Sequence, residues 1–146
     1  MRALPRSVVA LWGLTALAAA GQPFQLPTPN RALFEPGGEE RYFAPTPGKT
    51  WVAGTFGCVR SDGHQLHEGL DILWTQRDRK GEPTDPVTAA AAGTVAYVNR
   101  KSGLSNYGNY VILRHRIEGL AICTLYAHLA SIRADLQPGD AVIGRE

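Results

Sequence analysis

From Thr50 onward the chain is written in short apolar runs separated by turn residues. Residues 51–56, 70–74, 87–90, 94–99, 109–114 and 121–127 read as strands, punctuated by Gly93, Gly103, Gly108, Gly119 and the triplet Pro138-Gly139-Asp140. No long stretch there carries the 3.6-residue apolar period of an amphipathic helix. Close spacing favours hairpins over the long crossovers that parallel strands need. The expected class is mainly β, with an antiparallel β-sheet core. After Pro138-Gly139-Asp140 a further strand begins, and Arg145-Glu146 stop it. A half-started strand leaves an unpaired edge, so the expectation is a domain incomplete at its C-terminus.

The first 48 residues follow other rules. Arg2 and Arg6 precede an apolar stretch, residues 8–20, that closes on Ala18-Ala19-Ala20. A charged start, a short apolar run and small residues at its end are the pattern of a secretory signal peptide, expected at 1–21. The run is too short for a bilayer span. Residues 22–45 are rich in proline, which disfavours helix interiors and central strands. They read as an extended arm or linker, with Phe24, Leu33, Phe34, Tyr42 and Phe43 available to tack it down. Residues 46–146 form the expected domain.

The charge balance excludes some partners. The chain carries 15 Lys and Arg against 13 Asp and Glu. Loss of Arg2 and Arg6 with the leader makes the remainder formally neutral. No basic stripe points to nucleic acid, and no second apolar run is long enough for a membrane span. Export also permits a disulfide between the two cysteines, Cys58 and Cys123. Closing so long a loop would stabilise by roughly 4 kcal/mol in the chain-entropy account. Two free thiols, or Cys58 as a metal ligand, are the alternatives.

Chemistry concentrates at His67-Glu68-Gly69-Leu70-Asp71 and at Leu125-Tyr126-Ala127-His128-Leu129. Four extended residues span about 13 Å, whereas two donors on one zinc ion stand only about 3–4 Å apart. For His67 and Asp71 to share an ion the backbone must bend, and Gly69 is the residue that permits it. The other reading is a surface His and a turn Asp. In a regular strand, Ile122, Thr124, Tyr126 and His128 share one face and Cys123 points away. His128 is then a candidate general base or oxyanion stabiliser, or a hydrogen-bonded His at a strand end. His64 sits in a turn-like stretch and is expected at the surface, with a substitute-ligand role as the alternative. His115 reads as structural, or as a group supporting the site from behind. Glu68 is a weak candidate for a base.

These pieces occur in a telling order: Phe56-Gly57-x2-Arg60, His67-x3-Asp71, Pro86-Val87-x5-Gly93-Thr94-Val95, Tyr107-Gly108-Asn109-Tyr110-Val111, Leu125-Tyr126-Ala127-His128-Leu129 and Pro138-Gly139-Asp140. The series resembles the lysostaphin-type (LytM-like) zinc metalloendopeptidases over residues 46–146. The resemblance implies an antiparallel core of the duplicated hybrid motif kind and hydrolysis of peptide cross-links in bacterial cell-wall peptidoglycan. It implies one Zn2+ held by His67 and Asp71, His128 in catalysis, and Arg60 near the substrate groove.

One part of the family pattern is missing. The resemblance calls for a His-x-His motif on a later strand, supplying a third ligand and a further catalytic His, and no His follows His128. The expectation is a fragment that binds zinc weakly and is poorly active alone. The alternative is a non-catalytic member of the same fold that binds peptidoglycan or a partner enzyme. A β carrier or sugar-binding module also suits the hairpin turns.

Overall fold

The computed structural model describes residues 24–144. The expected leader lies outside the described residues. Strands β1 (Val59–Arg60) and β2 (Gln65–Leu66) pair antiparallel across a 3-10 turn at Ser61–Gly63. The main sheet holds β3 (Gly93–Asn99), β4 (Tyr110–Ile117), β5 (Leu120–Tyr126) and β6 (Ala141–Val142), in the order β5-β4-β3-β6. Every neighbouring pair in it is antiparallel. The mainly β, antiparallel class therefore holds. Among the described residues no helix is long and apolar enough to cross a membrane.

The sheet follows from its alternation and its turns. On β4, Val111, Leu113 and His115 are buried, while Arg114 and Arg116 between them are exposed. Glu118 and Gly119 join β4 to β5 with φ of 50° and 82°. Two successive left-handed residues are the hairpin geometry that matches strand twist, and Ile117 pairs directly with Leu120. Asp140 caps its own turn, accepting from the Gln137 N–H through Oδ2, and the chain then enters β6 against β3. On β3 the register slips between Val95 and Tyr97, leaving Ala96 as the extra residue of a bulge. Alternation from buried Val95 would carry Tyr97 inward. The bulge turns it outward instead, to stack on Tyr110 at 5.7 Å.

The main core gathers Val95, Val111 and Leu113 with Val98, Tyr126, Leu129, Ile132, Leu136 and Val142. Beside it runs a row of buried polar groups. His115 is 2% exposed. Its Nδ1 meets the Ala92 carbonyl at 2.8 Å and its Nε2 meets Thr124 Oγ1 at 2.8 Å. Thr124 Oγ1 bonds the Tyr126 hydroxyl, which accepts from the Ala90 N–H. A carbonyl only accepts, so Nδ1 donates to it, and each member of the row has a partner. This is the structural role open to His115 in the sequence. The row also explains Gly93, where an added Cβ would stand 2.6 Å from the Arg114 carbonyl oxygen and 2.7 Å from His115 Nδ1.

The proline-rich segment is built into the fold. Tyr42 and Phe43 are buried with Ala32, and Leu26, Trp51 and Ile72 pack on them. The single-turn helix α1 (Glu39–Tyr42) delivers both aromatics. Of the expected anchors, Leu33 and Phe34 are exposed, and Phe24 lies edge-on to His115 at 5.6 Å. Asn30 is 3% exposed and ties the segment down, its Nδ2 donating to the carbonyls of Arg41 and Leu73.

Tyr42 contributes a hydroxyl that is buried without a partner among the described residues. Burial pushes its pKa up, and the nearby Arg31 charge pulls less strongly downward. Tyr42→Phe removes an unsatisfied polar atom, so it is expected to stabilise by about 1 kcal/mol in denaturant titrations. A phenol with a raised folded-state pKa destabilises the fold once pH rises past its ordinary value near 10. The variant should therefore also lose less stability in alkali.

Three expected strands take other forms. Residues 51–54 make a 3-10 turn, because the Thr50 and Val52 carbonyls accept from Ala53 and Thr55 three residues on. Residues 70–74 form no strand but an isolated bridge, Ile72–Phe43, flanked by main-chain bonds of Asp71 and Leu73 to Ala44 and Tyr42. Residues 87–90 run beside the segment around Gln25 and Pro27, with bonds from Gln25 N–H to the Ala90 carbonyl and from Thr88 N–H to the Pro27 carbonyl. Both stretches found partners in a proline-rich segment, which cannot offer a continuous ladder.

Candidate functional site

His67 and Asp71 converge. The chain bends at Gly69, and His67 Nε2 stands 3.3 Å from Asp71 Oδ1. Gly69 is not in the left-handed region, and a Cβ there would make only an ordinary contact, 3.9 Å from His67 Nε2. The bend is thus imposed by the bonds around it rather than by glycine's conformational freedom.

Those bonds come from residues 53–60. His67 is gripped by its main chain, its N–H donating to the Cys58 carbonyl and its own carbonyl accepting from Gly57. Its Nδ1 lies 2.8 Å from the Thr55 carbonyl. Asp71 donates its N–H to the Gly54 carbonyl, and its carbonyl accepts from Ala44 N–H. Asp71 Oδ2 accepts from Arg60 Nη2, which also donates to the Ala53 carbonyl. Gly54 is pressed against residue 44, where an added Cβ would lie 2.4 Å from the Ala44 carbonyl oxygen.

The electrostatics follow from donor and acceptor counting. The Thr55 carbonyl only accepts, so Nδ1 carries a proton and Nε2 is the nitrogen turned to Asp71 Oδ1. Nε2 and Oδ1 face each other at 3.3 Å, and a cation between them would hold both. A proton on Nε2 satisfies them, and so does a metal ion. The His67 side chain is 11% exposed and that of Asp71 32%. The pair fits an ion as one edge of a coordination shell, with the outer atom of each donor already engaged, as metal ligands commonly are. Among the described residues no group of three His, Cys, Asp or Glu could hold a metal.

His128 follows the end of β5. β5 ends at Tyr126, so the strand's alternation does not extend to residue 128. Thr124 and Tyr126 turn inward as the parity requires, and Cys123 is exposed on the opposite side. His128 is exposed and holds φ of 55°, an uncommon conformation for a side-chain-bearing residue. The loop Tyr107-Gly108-Asn109 enforces it. His128 N–H donates to the Tyr107 carbonyl, Leu129 N–H to the Asn109 carbonyl, and Asn109 Nδ2 to the Leu129 carbonyl. Buried Asn99 holds that loop in turn, through Nδ2 to the Gly108 carbonyl.

The other candidates separate from this arrangement. His64 is exposed at the end of the Ser61–Gly63 turn, and Glu68 is exposed. Cys58 is half-buried, Cys123 is exposed, and both are free cysteines in this structure. Sequence reading named the two donors but missed the carbonyls of Ala53, Gly54 and Thr55 that orient them. Main-chain acceptors carry no residue-type signal, and only Phe56-Gly57-x2-Arg60 marked the stretch.

With this geometry in place, comparison with protein families matches the chain to Peptidase family M23 over residues 65–144. The match covers more than half of the sequence, and the chain belongs to that family. The lysostaphin-type resemblance is thereby upheld, and the family's activity is peptide hydrolysis, in general zinc-dependent and directed at cell-wall peptidoglycan. Searches of curated proteins and of solved structures return no match.

Proposed function

We propose that this chain carries the donor half of an exported zinc metalloendopeptidase that hydrolyses peptide cross-links of bacterial peptidoglycan. The observation behind this reading is the facing pair His67 Nε2 and Asp71 Oδ1, 3.3 Å apart, with both outer atoms engaged by the protein. In this reading His67 and Asp71 hold the ion, and Arg60 borders the substrate groove beside them. Zinc, when bound, polarises the scissile carbonyl and makes water a competent nucleophile at neutral pH. His128 contributes its imidazole, accepting a proton from the attacking water or donating to the developing oxyanion. Its clamped left-handed backbone fits a group whose orientation must be held, since strained residues cluster at functional positions. Residues 1–21 serve as the export signal and 46–146 as the peptidase domain.

Two donors make a weak site, so the chain as given is proposed to bind zinc weakly and to hydrolyse poorly. The donor shortfall among the described residues also favours a second reading, a non-catalytic family member that binds peptidoglycan or a partner enzyme. The test is incubation of the chain with purified peptidoglycan, with and without added zinc, following release of new amino groups. Slow zinc-dependent release that His128→Ala lowers about 100-fold or more supports the peptidase. Binding to peptidoglycan with no release at any zinc concentration supports the second reading.

A further inference from the structure

Arg60 is the one side chain among the groups that orient the two donors, and its role is read from the hydrogens it spends. A guanidinium nitrogen Nη2 has two. One goes to Asp71 Oδ2 and the other to the Ala53 carbonyl, both at 2.5 Å. Ala53 is buried at the end of the Trp51–Gly54 turn, whose Gly54 carbonyl also holds the Asp71 main chain. Asp71 is thereby fixed at three points, its backbone N–H and carbonyl and, on the carboxylate, Oδ2. What is left is Oδ1, the oxygen that faces His67 Nε2.

We infer that Arg60 is a positioning residue that makes Asp71 a single-oxygen metal donor, selecting Oδ1 by occupying Oδ2. The inference rests on the reading of His67 and Asp71 as the ion's ligands and goes beyond it. Arg60 and the rest of the 53–60 cradle precede the matched residues 65–144. Two effects of the guanidinium oppose each other. Its charge repels a cation and draws electron density from the carboxylate, while its bond holds the donor in place. The Arg60 and Asp71 side chains are only 26% and 32% exposed, so solvent screens the charge in part, and the sign of the Arg60→Met effect on zinc affinity reads which of the two is larger. Removing hydrogen-bond partners of metal ligands commonly weakens metal binding by about 10–100-fold.

The test compares zinc affinity, by chelator competition, in the full chain and in Arg60→Met, Arg60→Lys, Asp71→Ala and the double variant Arg60→Met with Asp71→Ala. Methionine keeps an apolar stem and removes the donors. Melting without metal shows that each variant folds. Arg60→Met is expected to bind zinc about 10-fold more weakly. Arg60→Lys, which keeps a charged donor on a shorter stem, should recover part of that loss, and Arg60→Met should have no further effect once Asp71 is alanine. Unchanged or tighter zinc binding by Arg60→Met, with Asp71→Ala still weakening it, overturns the role of Arg60 and leaves the ligand assignment standing. Zinc binding that Asp71→Ala does not weaken overturns both. A crystal structure of the zinc-loaded chain decides without any variant. Asp71 on the metal through Oδ1, with Oδ2 still on Arg60, supports the inference, and both oxygens on the metal with Arg60 displaced ends it.

Discussion

Replacing His67 with alanine is expected to lower zinc affinity at least 100-fold, to the level of non-specific binding. The magnitude follows from donor arithmetic. The chain offers a pair, Nε2 of His67 and Oδ1 of Asp71, and a lone carboxylate on a partly exposed surface has neither the donor count nor the preorganisation to retain Zn2+. The fold should survive, since the lost side-chain bond is the one to the Thr55 carbonyl, worth about 1 kcal/mol. His64→Ala is the matched control. His64 is exposed at a turn, and its removal should leave zinc binding unchanged. Chelator competition on the three proteins checks this. Equal affinities for the His67 and His64 variants would remove the pair as the metal site.

The second large effect concerns the scaffold. Gly54→Ala is expected to destabilise the protein by about 3 kcal/mol, at the upper end for overpacking. The new Cβ would sit 2.4 Å from the Ala44 carbonyl oxygen and within 3.2 Å of two further backbone atoms of the same residue, so no flexible side chain can yield. Residue 44 must move, and it carries the N–H that holds the Asp71 carbonyl. Zinc affinity should therefore fall together with stability. Gly103→Ala is the contrast, with nothing within 4 Å of the added atom, and should be nearly neutral. Urea titration of both, followed by zinc competition on the folded Gly54 variant, reads the two consequences separately.

Both predictions depend on the same construction. Residues 53–60 wrap the two donors, and residues 30–44 fix residues 53–60 and 71–73 from behind through Phe43, Trp51 and Ile72. An arm that composition marks as a linker supplies a core cluster of its own, with Tyr42 and Phe43 buried. Truncating it before residue 45 would therefore expose one side of the site's support.

The sequence by itself determined what depends on local backbone and side-chain preference. Strands β3, β4 and β5 stand close to where alternation placed them, and Glu118-Gly119 and Pro138-Gly139-Asp140 turn the chain where their residues allow it. The His67-x3-Asp71 spacing named the converging pair, and the ordered motifs named the family that the M23 match upholds. Tertiary structure decided whatever needed a partner far along the chain. Residues 70–74 and 87–90 find partners in the proline-rich segment, and His128 leaves its strand because the 107–109 loop takes its backbone. The oxygen that Asp71 presents belongs to the same class. Carbonyl acceptors are alike at every residue, so the groups that aim a ligand become visible only when the fold brings them to it.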